Sequence, residues 1–256
     1  MTSTRDLLDF AVDAAMQAGR VTLASFQTGV PVERKADASP VTVADRAAEQ
    51  LLRQLIERRF PDHAIFGEEF GETDRDSTHR WIIDPIDGTQ SFIRGVPLYG
   101  VLVGLEIAGE MVLGVAGFPA LGEMVAAATG HGCTWNSRPA RVSTTNRLAD
   151  AAMSFTSAAT LVRLQSSAWA RLQQATSVQR GWGDCYGHCL VATGRADIML
   201  DPVLSPWDCA ALLPILREAG GTFTDWTGQS TIAGGDGLST NGVLFEQVMA
   251  IVRDPG

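Results

Sequence analysis

The sequence lacks any long apolar run. No window is long and apolar enough to span a bilayer, and Asp6, Asp9 and Asp13 interrupt the stretch in which a signal peptide would lie. We therefore expect a cytoplasmic protein with no membrane partner.

Cysteine is also scarce, with four residues and no C-x-x-C pair. Four thiols in a chain of 256 residues do not make the disulfide framework of a small secreted domain. Cys185 and Cys189 flank His188, which leaves a zinc site as an alternative. Because two thiols one turn apart in an apolar helix more often pack in a core, we predict that these side chains are buried.

Positive charge is in deficit, since 20 Lys and Arg residues face 29 Asp and Glu residues, for a net charge of −9. Binding along a nucleic-acid backbone requires a basic face, so nucleic acid is not an expected partner. The densest basic stretch, Arg53 with Arg58 and Arg59, lies in a helical pattern beside Glu49 and Glu57. We interpret it as a solvated helix face.

What is present is the composition of a globular protein, with 45% hydrophobic and 19% charged residues. Apolar spacings of three and four predict a helix over 2–26 and, after a polar loop over 35–40, a second helix to about Phe60. Apolar runs separated by short turns predict an antiparallel meander over 101–128. The later predicted elements are strands over 196–200 and 221–223 and helices over 209–219 and 243–253. We therefore predict a layered α/β protein with a largely antiparallel first half and an alternating second half.

The most informative segment is WIIDPIDGT, residues 81–89. An apolar strand is predicted to end at Asp84, a proline stiffens the turn, and Asp87 follows three residues on. Gly88 and Thr89 open a predicted helix, whose free N–H groups favour phosphate. Paired carboxylates favour Mg²⁺ or Mn²⁺. For this segment alone, an acidic turn without function remains the alternative.

Two further acidic sites favour a metal site over an acidic turn without function. Glu68 and Glu69 follow a predicted strand over 64–66, and Asp208 opens the helix predicted over 209–219. Three carboxylate clusters at the ends of elements, with no competing His or Cys motif, predict one polynuclear oxygen site.

These residues resemble the inositol monophosphatase superfamily of metal-dependent, lithium-sensitive phosphatases. The resemblance lies in Glu68-Glu69, in the DPIDGT run from Asp84, and in Trp207-Asp208 followed by EAGG over 218–221, and it extends over almost the whole chain. It implies a five-layer αβαβα sandwich, a homodimer, and two or three Mg²⁺ ions, with Mn²⁺ as an alternative. We treat 1–256 as one phosphatase unit, with an N-terminal α+β half over about 1–145 and a C-terminal α/β half over about 146–256.

The resemblance also implies residue roles, position by position. The implied metal ligands are Glu68, Asp84, Asp87, Asp208 and the backbone carbonyl of Ile86. Gly88 and Thr89 hold the phosphate, and Glu68 and Thr89 orient the attacking water. Asp45 pairs with Thr89 near the metals, with a plain helix residue as the alternative. Lys35 matches a loop lysine that we place among the substrate contacts.

The substrate is predicted from the GDCY sequence over 183–186 and from the segment over 92–100, which are similar to the histidinol-phosphate phosphatase branch. Histidinol phosphate carries an ammonium group and an imidazole, which suits contacts with Asp184 and Asp201. The alternative for Asp184 is a helix N-cap. Gln90 departs from the branch, which commonly has arginine there.

Three functions follow. The first is hydrolysis of histidinol phosphate to histidinol and phosphate, and the second is an inositol monophosphatase or a broad sugar-phosphate phosphatase. The third is a non-catalytic metal-binding regulator. The third is disfavoured, because such a protein has no need of Glu68 and Thr89 together.

Overall fold

Two β-sheets from successive parts of the chain organise the computed structural model, which describes residues 2–35, 40–73 and 75–254. The polar loop predicted over 35–40 falls, for 36–39, outside the described residues. The elements before residue 145 are α1 (Thr4–Ser25), β1 (Val32–Arg34), β2 (Pro40–Thr42), α2 (Val43–Arg59), β3 (Ala64–Gly67), β4 (Gly71–Glu72), β5 (His79–Asp87), α3 (Thr89–Ile93), β6 (Gly100–Ile107), β7 (Glu110–Phe118), β8 (Glu123–Ala128), β9 (Gly132–Trp135) and β10 (Arg138–Ala140). After a 3-10 turn at Leu148–Asp150 follow β11 (Ala152–Phe155), α4 (Ala158–Leu164), α5 (Ser166–Ala175), β12 (Val178–Arg180), α6 (Asp184–Ala192), β13 (Ile198–Asp201), α7 (Pro206–Ala210), α8 (Leu212–Glu218), β14 (Thr222–Thr224), β15 (Gly237–Thr240) and α9 (Phe245–Val252).

The larger sheet has, within the described residues, eight strands in the order β10-β9-β8-β7-β6-β5-β3-β4. Its pairs are antiparallel except β3 with β5. In the described part of the chain, the second large sheet has five strands in the order β12-β11-β13-β15-β14, and β1 pairs antiparallel with β2 in a separate two-stranded sheet. In this five-stranded sheet, β11 pairs in parallel with β12 and β13, whereas β15 pairs antiparallel with β13 and β14. The predicted antiparallel first half and alternating second half are confirmed.

The two sheets lie within five layers because alternate residues of each strand point to opposite faces. On the larger sheet, Ile83 and Val103 face α1 and α2. Ile82 and Leu102 face α6 and α8 on the other side. Those central helices also pack on the smaller sheet, where Met199 joins the same core. Helices α4, α5 and α9 cover the outer face of the smaller sheet, and the five-layer αβαβα prediction is confirmed.

Most predicted elements occur close to their predicted bounds, but the helix predicted over 209–219 is wrong as one helix. It is divided into α7 and α8 at Ala211, and Asp208 lies inside α7. Pro214 explains the break, because it has no N–H to donate to the carbonyl of Ala210 four residues earlier. It is tolerated in the first turn of α8, where that N–H would have no helical acceptor.

The solvated face predicted for the basic stretch of α2 is wrong for two residues. Glu49 is fully buried, and its carboxylate forms an ion pair with Arg53 at 2.8 Å. Arg58 and Arg59 are exposed, as predicted. The buried pair lies on the same side of α2 as Leu52, which belongs to the core between α1, α2 and the larger sheet.

The cysteines and His188 are buried in the core, as predicted. Cys185 and Cys189 belong to the cluster between the two sheets, and His188 Nδ1 lies 2.7 Å from Ser239 Oγ. Across the described ranges, no helix is both long and apolar enough to cross a membrane.

Candidate active site

Three carboxylates converge between the two sheets. Asp84 and Asp87 lie at the end of β5 and Asp208 lies in α7, and one oxygen of each falls within 4.8 Å of the others. Asp84 and Asp87 are buried, and Asp208 is partly buried. The structure thus brings together three of the predicted ligands from sites more than a hundred residues apart.

A β-bulge directs Asp84 and Asp87 toward the same place. Residues three apart in a regular strand point to opposite faces. Here Asp84 pairs with Leu102 and Asp87 with Gly100 of β6, so three steps along β5 match only two along β6. β5 therefore contains one extra residue, which forms the bulge. The strand therefore continues through Pro85 to Asp87, and the prediction that it ends at Asp84 is wrong. Pro85 has no N–H for the ladder, and a bulge is where a sheet tolerates that loss.

Asp208 is positioned by a capping box and by close helix–sheet packing. Its Oδ2 accepts a hydrogen bond from the backbone N–H of Ser205 at 2.6 Å. The joint between α7 and α8 lies directly on Gly104 and Gly114, which pair across β6 and β7. A Cβ on Gly114 would lie 2.7 Å from the carbonyl carbon of Ala211. Glycine is required at this position because larger residues would displace the helix that carries Asp208.

The carboxylates are held by backbone donors. The N–H of Ile86 donates to Asp84 Oδ1 at 2.9 Å. The N–H of Cys185, at the start of α6, donates to Asp87 Oδ2 at 2.6 Å. Each contact engages one oxygen of its carboxylate and so restricts the orientation of Asp84 or Asp87.

The electrostatics of the cluster favour a cation. Burial, followed by repulsion from Glu68 and Asp87, raises the pKa of Asp84 well above its usual range. Burial, followed by repulsion from Asp184 and Asp208, does the same for the pKa of Asp87. Several buried carboxylates without matching positive charge are costly unless a cation compensates them. Hard oxygen donors at this spacing suit a divalent metal, so the residues fit the metal that the resemblance implies.

Glu68 lies beside this group of three and is held by Lys35. Lys35 Nζ donates to Glu68 Oε1 at 2.7 Å and to Glu69 Oε1 at 2.6 Å. Burial raises the pKa of Glu68 to about 7, although Lys35 opposes the shift. Burial alone would lower the pKa of Lys35, but its hydrogen bonds to both glutamates outweigh burial and raise it. Glu68 as a metal ligand and Lys35 as a substrate contact remain predictions.

Gly88 and Thr89 form the turn into α3. Gly88 is the N-cap with φ of 79°, a conformation that favours glycine. A Cβ at Gly88 would lie 3.1 Å from Asp184 Oδ2 and 3.1 Å from the carbonyl oxygen of Leu98. The hydroxyl of Thr89 donates to the carbonyl oxygen of Ile86 at 3.1 Å. The carbonyl predicted as a metal ligand is therefore the acceptor of this hydroxyl.

Asp45 is buried at the start of α2, and the predicted pairing with Thr89 is not formed. Its Oδ2 instead accepts hydrogen bonds from Thr42 N at 2.8 Å and Thr42 Oγ1 at 2.6 Å. This contact is the capping box of α2. Burial raises the pKa of Asp45, and within the described chain Asp45 Oδ1 has no hydrogen-bond partner. A catalytic role for Asp45 stays a prediction.

Asp184 and Asp201 lie on adjoining elements next to the cluster. The hydroxyl of Thr156 donates to Asp201 Oδ2 at 2.6 Å and accepts from the backbone N–H of Asp184 at 2.9 Å. Burial and the charge of Asp208 raise the pKa of Asp184 to about 6. Asp201 is almost fully buried, and its substrate contact stays a prediction.

The alternative role of Asp184 as a helix cap is wrong. Gly183 is the N-cap of α6, and Asp184 is the first helical residue, with φ of 54°. A side chain in this left-handed region is strained, and such strain is common where a protein holds a functional group in place. Gln90, which departs from the branch pattern, accepts a hydrogen bond from Arg94 Nη1 through its side chain.

Two positioning contacts were missed from the sequence. Glu49 lies one turn after Asp45 on α2, next to the core residues Ala48 and Leu52. An acidic residue on the apolar face of a predicted helix could have indicated a buried, paired carboxylate. The contact between Thr156 and Asp184 spans 28 residues, and no local pattern indicates it.

Comparisons with known proteins agree with this geometry. The sequence profile of the Inositol monophosphatase family matches residues 3–254. A histidinol-phosphatase from Chlorobaculum parvum is 46% identical over 248 residues, which cover 96% of this chain and 96% of that protein. A histidinol-phosphatase from Mycobacterium tuberculosis is 37% identical over 261 residues, which cover 96% of this chain and 97% of that protein. The solved structure of an inositol monophosphatase from Anabaena superposes with a TM-score of 0.87 at 31% identity, covering 98% of this chain and 97% of that one.

Proposed function

This chain belongs to the inositol monophosphatase family, and from that premise we propose that it is a magnesium-dependent phosphatase that hydrolyses histidinol phosphate to histidinol and phosphate. Support for the phosphatase class comes from the family and from the acidic cluster. Support for the substrate comes from relatives named histidinol-phosphatase and from one additional carboxylate beside the cluster.

The observation that carries the substrate proposal is the position of Asp184. Its Oδ2 lies against Gly88, at the turn that would hold the phosphate. Its charge acts on both Asp87 and Asp201. A leaving group next to that phosphate would therefore meet a carboxylate, which suits a cationic alcohol better than a neutral polyol.

The chain's own residues supply positioning and charge. Asp84, Asp87 and Asp208 would hold magnesium together with Glu68 and the carbonyl of Ile86. When bound, magnesium would compensate the charge of the phosphate and make a neighbouring water molecule more acidic. The N–H groups at the start of α3 donate to phosphate oxygens, and Glu68 and Thr89 orient the attacking water. Asp184 binds the cationic part of the leaving alcohol.

Replacement of Asp184 by asparagine tests this proposal. Asparagine tolerates the left-handed backbone at this position, so Asp184→Asn removes the charge without removing the backbone conformation. We expect kcat/KM for histidinol phosphate to fall by an amount equivalent to roughly 1.5–3 kcal/mol, the range of a charge-assisted hydrogen bond. Hydrolysis of inositol phosphate should change much less.

The measurement compares both substrates in wild type, in Asp184→Asn and in a control, Asp150→Asn, which changes an exposed aspartate. An equal fall for both substrates in Asp184→Asn would remove the support for a cationic substrate. A wild-type preference for inositol phosphate would move the assignment to an inositol monophosphatase.

A further inference from the structure

The carboxylate of Glu49 lies beneath the hairpin that carries Glu68. Glu49 Oε2 accepts from the backbone N–H of Glu69 at 2.7 Å, and Glu49 Oε1 accepts from that of Phe70 at 3.2 Å. Both donors belong to the turn between β3 and β4, directly after Glu68. A fully buried side chain of α2 thus fixes the backbone next to a predicted metal ligand.

Gly67 makes this contact sterically possible. A Cβ at Gly67 would lie 2.6 Å from the Cδ of Glu49 and 2.9 Å from its Oε2. Real Cβ atoms do not approach other atoms so closely, so a side chain at residue 67 would displace the carboxylate. The strand therefore passes directly over Glu49 immediately before Glu68.

Arg53, one turn along α2, completes the contact. Its Nε donates to Glu49 Oε1 at 2.8 Å, and its Nη2 donates to the carbonyl oxygen of Gly71. The arginine compensates the buried charge of Glu49 and binds the far end of the same turn. The two α2 residues together hold the turn at both of its ends.

We propose that Glu49 is a positioning residue for the metal centre, which presets the backbone of the β3–β4 turn so that Glu68 is oriented toward Asp84, Asp87 and Asp208. Loss of a side chain that orients a metal ligand typically lowers metal affinity about 10–100-fold. Glu49 acts through the turn and makes no contact with substrate. The inference goes beyond the proposed function because it applies to whichever phosphate ester is hydrolysed.

Glu49→Gln is the informative variant. The amide keeps the size of the side chain, but its NH₂ group replaces one acceptor and would face a backbone N–H donor. We expect the magnesium concentration at half-saturation to rise about 10–100-fold. Magnesium chloride is titrated without substrate, and the rise in Tm is followed. A second titration follows the initial rate of histidinol phosphate hydrolysis.

The matched control is Glu57→Gln, the same chemical change on the exposed side of α2, where Glu57 pairs with Arg75 at 3.4 Å. Its magnesium dependence should equal that of wild type. Arg53→Lys is the second variant, because it keeps a positive charge and alters the geometry of the contact. It should shift the half-saturation in the same direction by a smaller factor, and it decides the question if Glu49→Gln does not fold.

A purely structural role for Glu49 would lower the Tm without magnesium and leave the magnesium half-saturation unchanged. That outcome, in Glu49→Gln or in Arg53→Lys, would overturn the proposal. So would a wild-type protein whose Tm does not respond to magnesium. A wild-type protein that binds magnesium but hydrolyses no phosphate ester would overturn only the proposed function, because the titration without substrate measures metal binding.

Discussion

Asp87 accepts a hydrogen bond from the N–H of Cys185 while it faces the carboxylates of Asp184 and Asp208. Its ionised form is disfavoured by burial and by both neighbouring charges. The same charge is what a divalent cation would bind. The negative charge of Asp87 therefore lowers the stability of the metal-free protein, and the same charge is needed to bind the metal.

Asp87→Asn separates the two requirements. The amide oxygen can still accept from Cys185, whereas the negative charge is lost. We expect the rate of phosphate release to fall at least about 100-fold, because charge stabilisation at the reacting centre is lost. The Tm without metal should stay equal to that of wild type or rise, since repulsion is relieved.

Phosphate-release kinetics, with thermal melts in the presence of a chelator, measure the two effects. Near-normal turnover in Asp87→Asn would show that the metal assignment is wrong. Asp150→Asn, at an exposed site, serves as the control for a general effect of one lost charge.

Much of the acidic set could be predicted at the residue scale. Asp84, Asp87 and Asp208 were identified because carboxylates at the ends of elements are visible in sequence, and the structure brings them together. The hydrogen bonds that hold them could not be predicted in the same way. Asp45 Oδ2 binds Thr42 and the Thr89 hydroxyl binds Ile86, so short-range capping and turn contacts take the place of the predicted pairing between Asp45 and Thr89.

At the scale of elements, the paired glycines of β6 and β7 determine how closely the joint between α7 and α8 approaches the sheet. A Cβ on Gly104 would lie 2.9 Å from the carbonyl carbon of Ala210. Because Asp208 belongs to α7, the distance between this helix and the sheet sets the distance between Asp208 and the carboxylates of β5. Packing and metal geometry are therefore coupled at this joint.

Gly114→Ala tests that coupling. The added methyl group meets helix backbone, which cannot rotate away, so we expect a loss of stability of about 1–3 kcal/mol from overpacking. The magnesium half-saturation should also rise, because α7 moves with Asp208. Urea unfolding and the titration of Tm with magnesium measure the two effects.

Gly117→Ala is the matched control on the same strand. The tightest contact of its Cβ would be with the end of the flexible Met124 side chain, at 3.1 Å, and Ala15 Cβ would lie at an ordinary contact distance of 3.9 Å. A smaller loss of stability and unchanged magnesium dependence are expected. If Gly114→Ala binds magnesium as wild type does, the joint does not set the position of Asp208.

The elements themselves followed largely from apolar periodicity, and the exceptions have local causes. The strand through Pro85 was missed because proline argues against a strand, and only pairing with β6 shows the bulge that accommodates it. The division of α7 from α8 depends on Pro214, whose effect on the hydrogen-bond ladder could have been anticipated from sequence.

At the scale of the whole molecule, one buried and one half-buried histidine couple stability to pH. Burial lowers the pKa of His188 to about 3. Burial, followed by repulsion from His79, also lowers the pKa of His63, whose Nδ1 accepts from Trp81 Nε1 at 3.0 Å. Since the unfolded chain binds these protons first, the stabilisation is complete above about pH 6.5 and is lost progressively as the pH falls.

His188→Gln should reduce that loss. Between pH 6.5 and pH 4.5, we expect the fall in unfolding free energy to be smaller than in wild type by roughly 2 kcal/mol. Urea unfolding at both pH values measures the difference. Buried carboxylates with raised pKa act in the opposite sense, so the comparison is made between variants.

The exposed His131 provides the control, as His131→Gln. Equal pH dependence in the two variants would show that His188 is protonated in the folded state as readily as in the unfolded chain.

The layered architecture could be predicted at this scale only with the family resemblance. Periodicity indicated which segments are helices and strands, but the αβαβα order depends on which faces of two sheets are covered. Contacts between distant parts of the chain determine which faces are covered. The proposed division into halves near residue 145 coincides with the change from one sheet to the other, between β10 and β11.

The bulge in β5 also restricts how this protein can vary. Asp87 follows Asp84 by three residues, a spacing that in a regular strand places two side chains on opposite faces. Because the bulge adds one residue to β5, the two aspartates pair with β6 residues only two apart and point to the same face. Inserting or deleting one residue between them would turn one carboxylate to the opposite face of the sheet, toward α1 and α2 and away from Asp208. The number of residues between the two carboxylates is therefore fixed by the pairing of β5 with β6, whichever residues occupy those two positions.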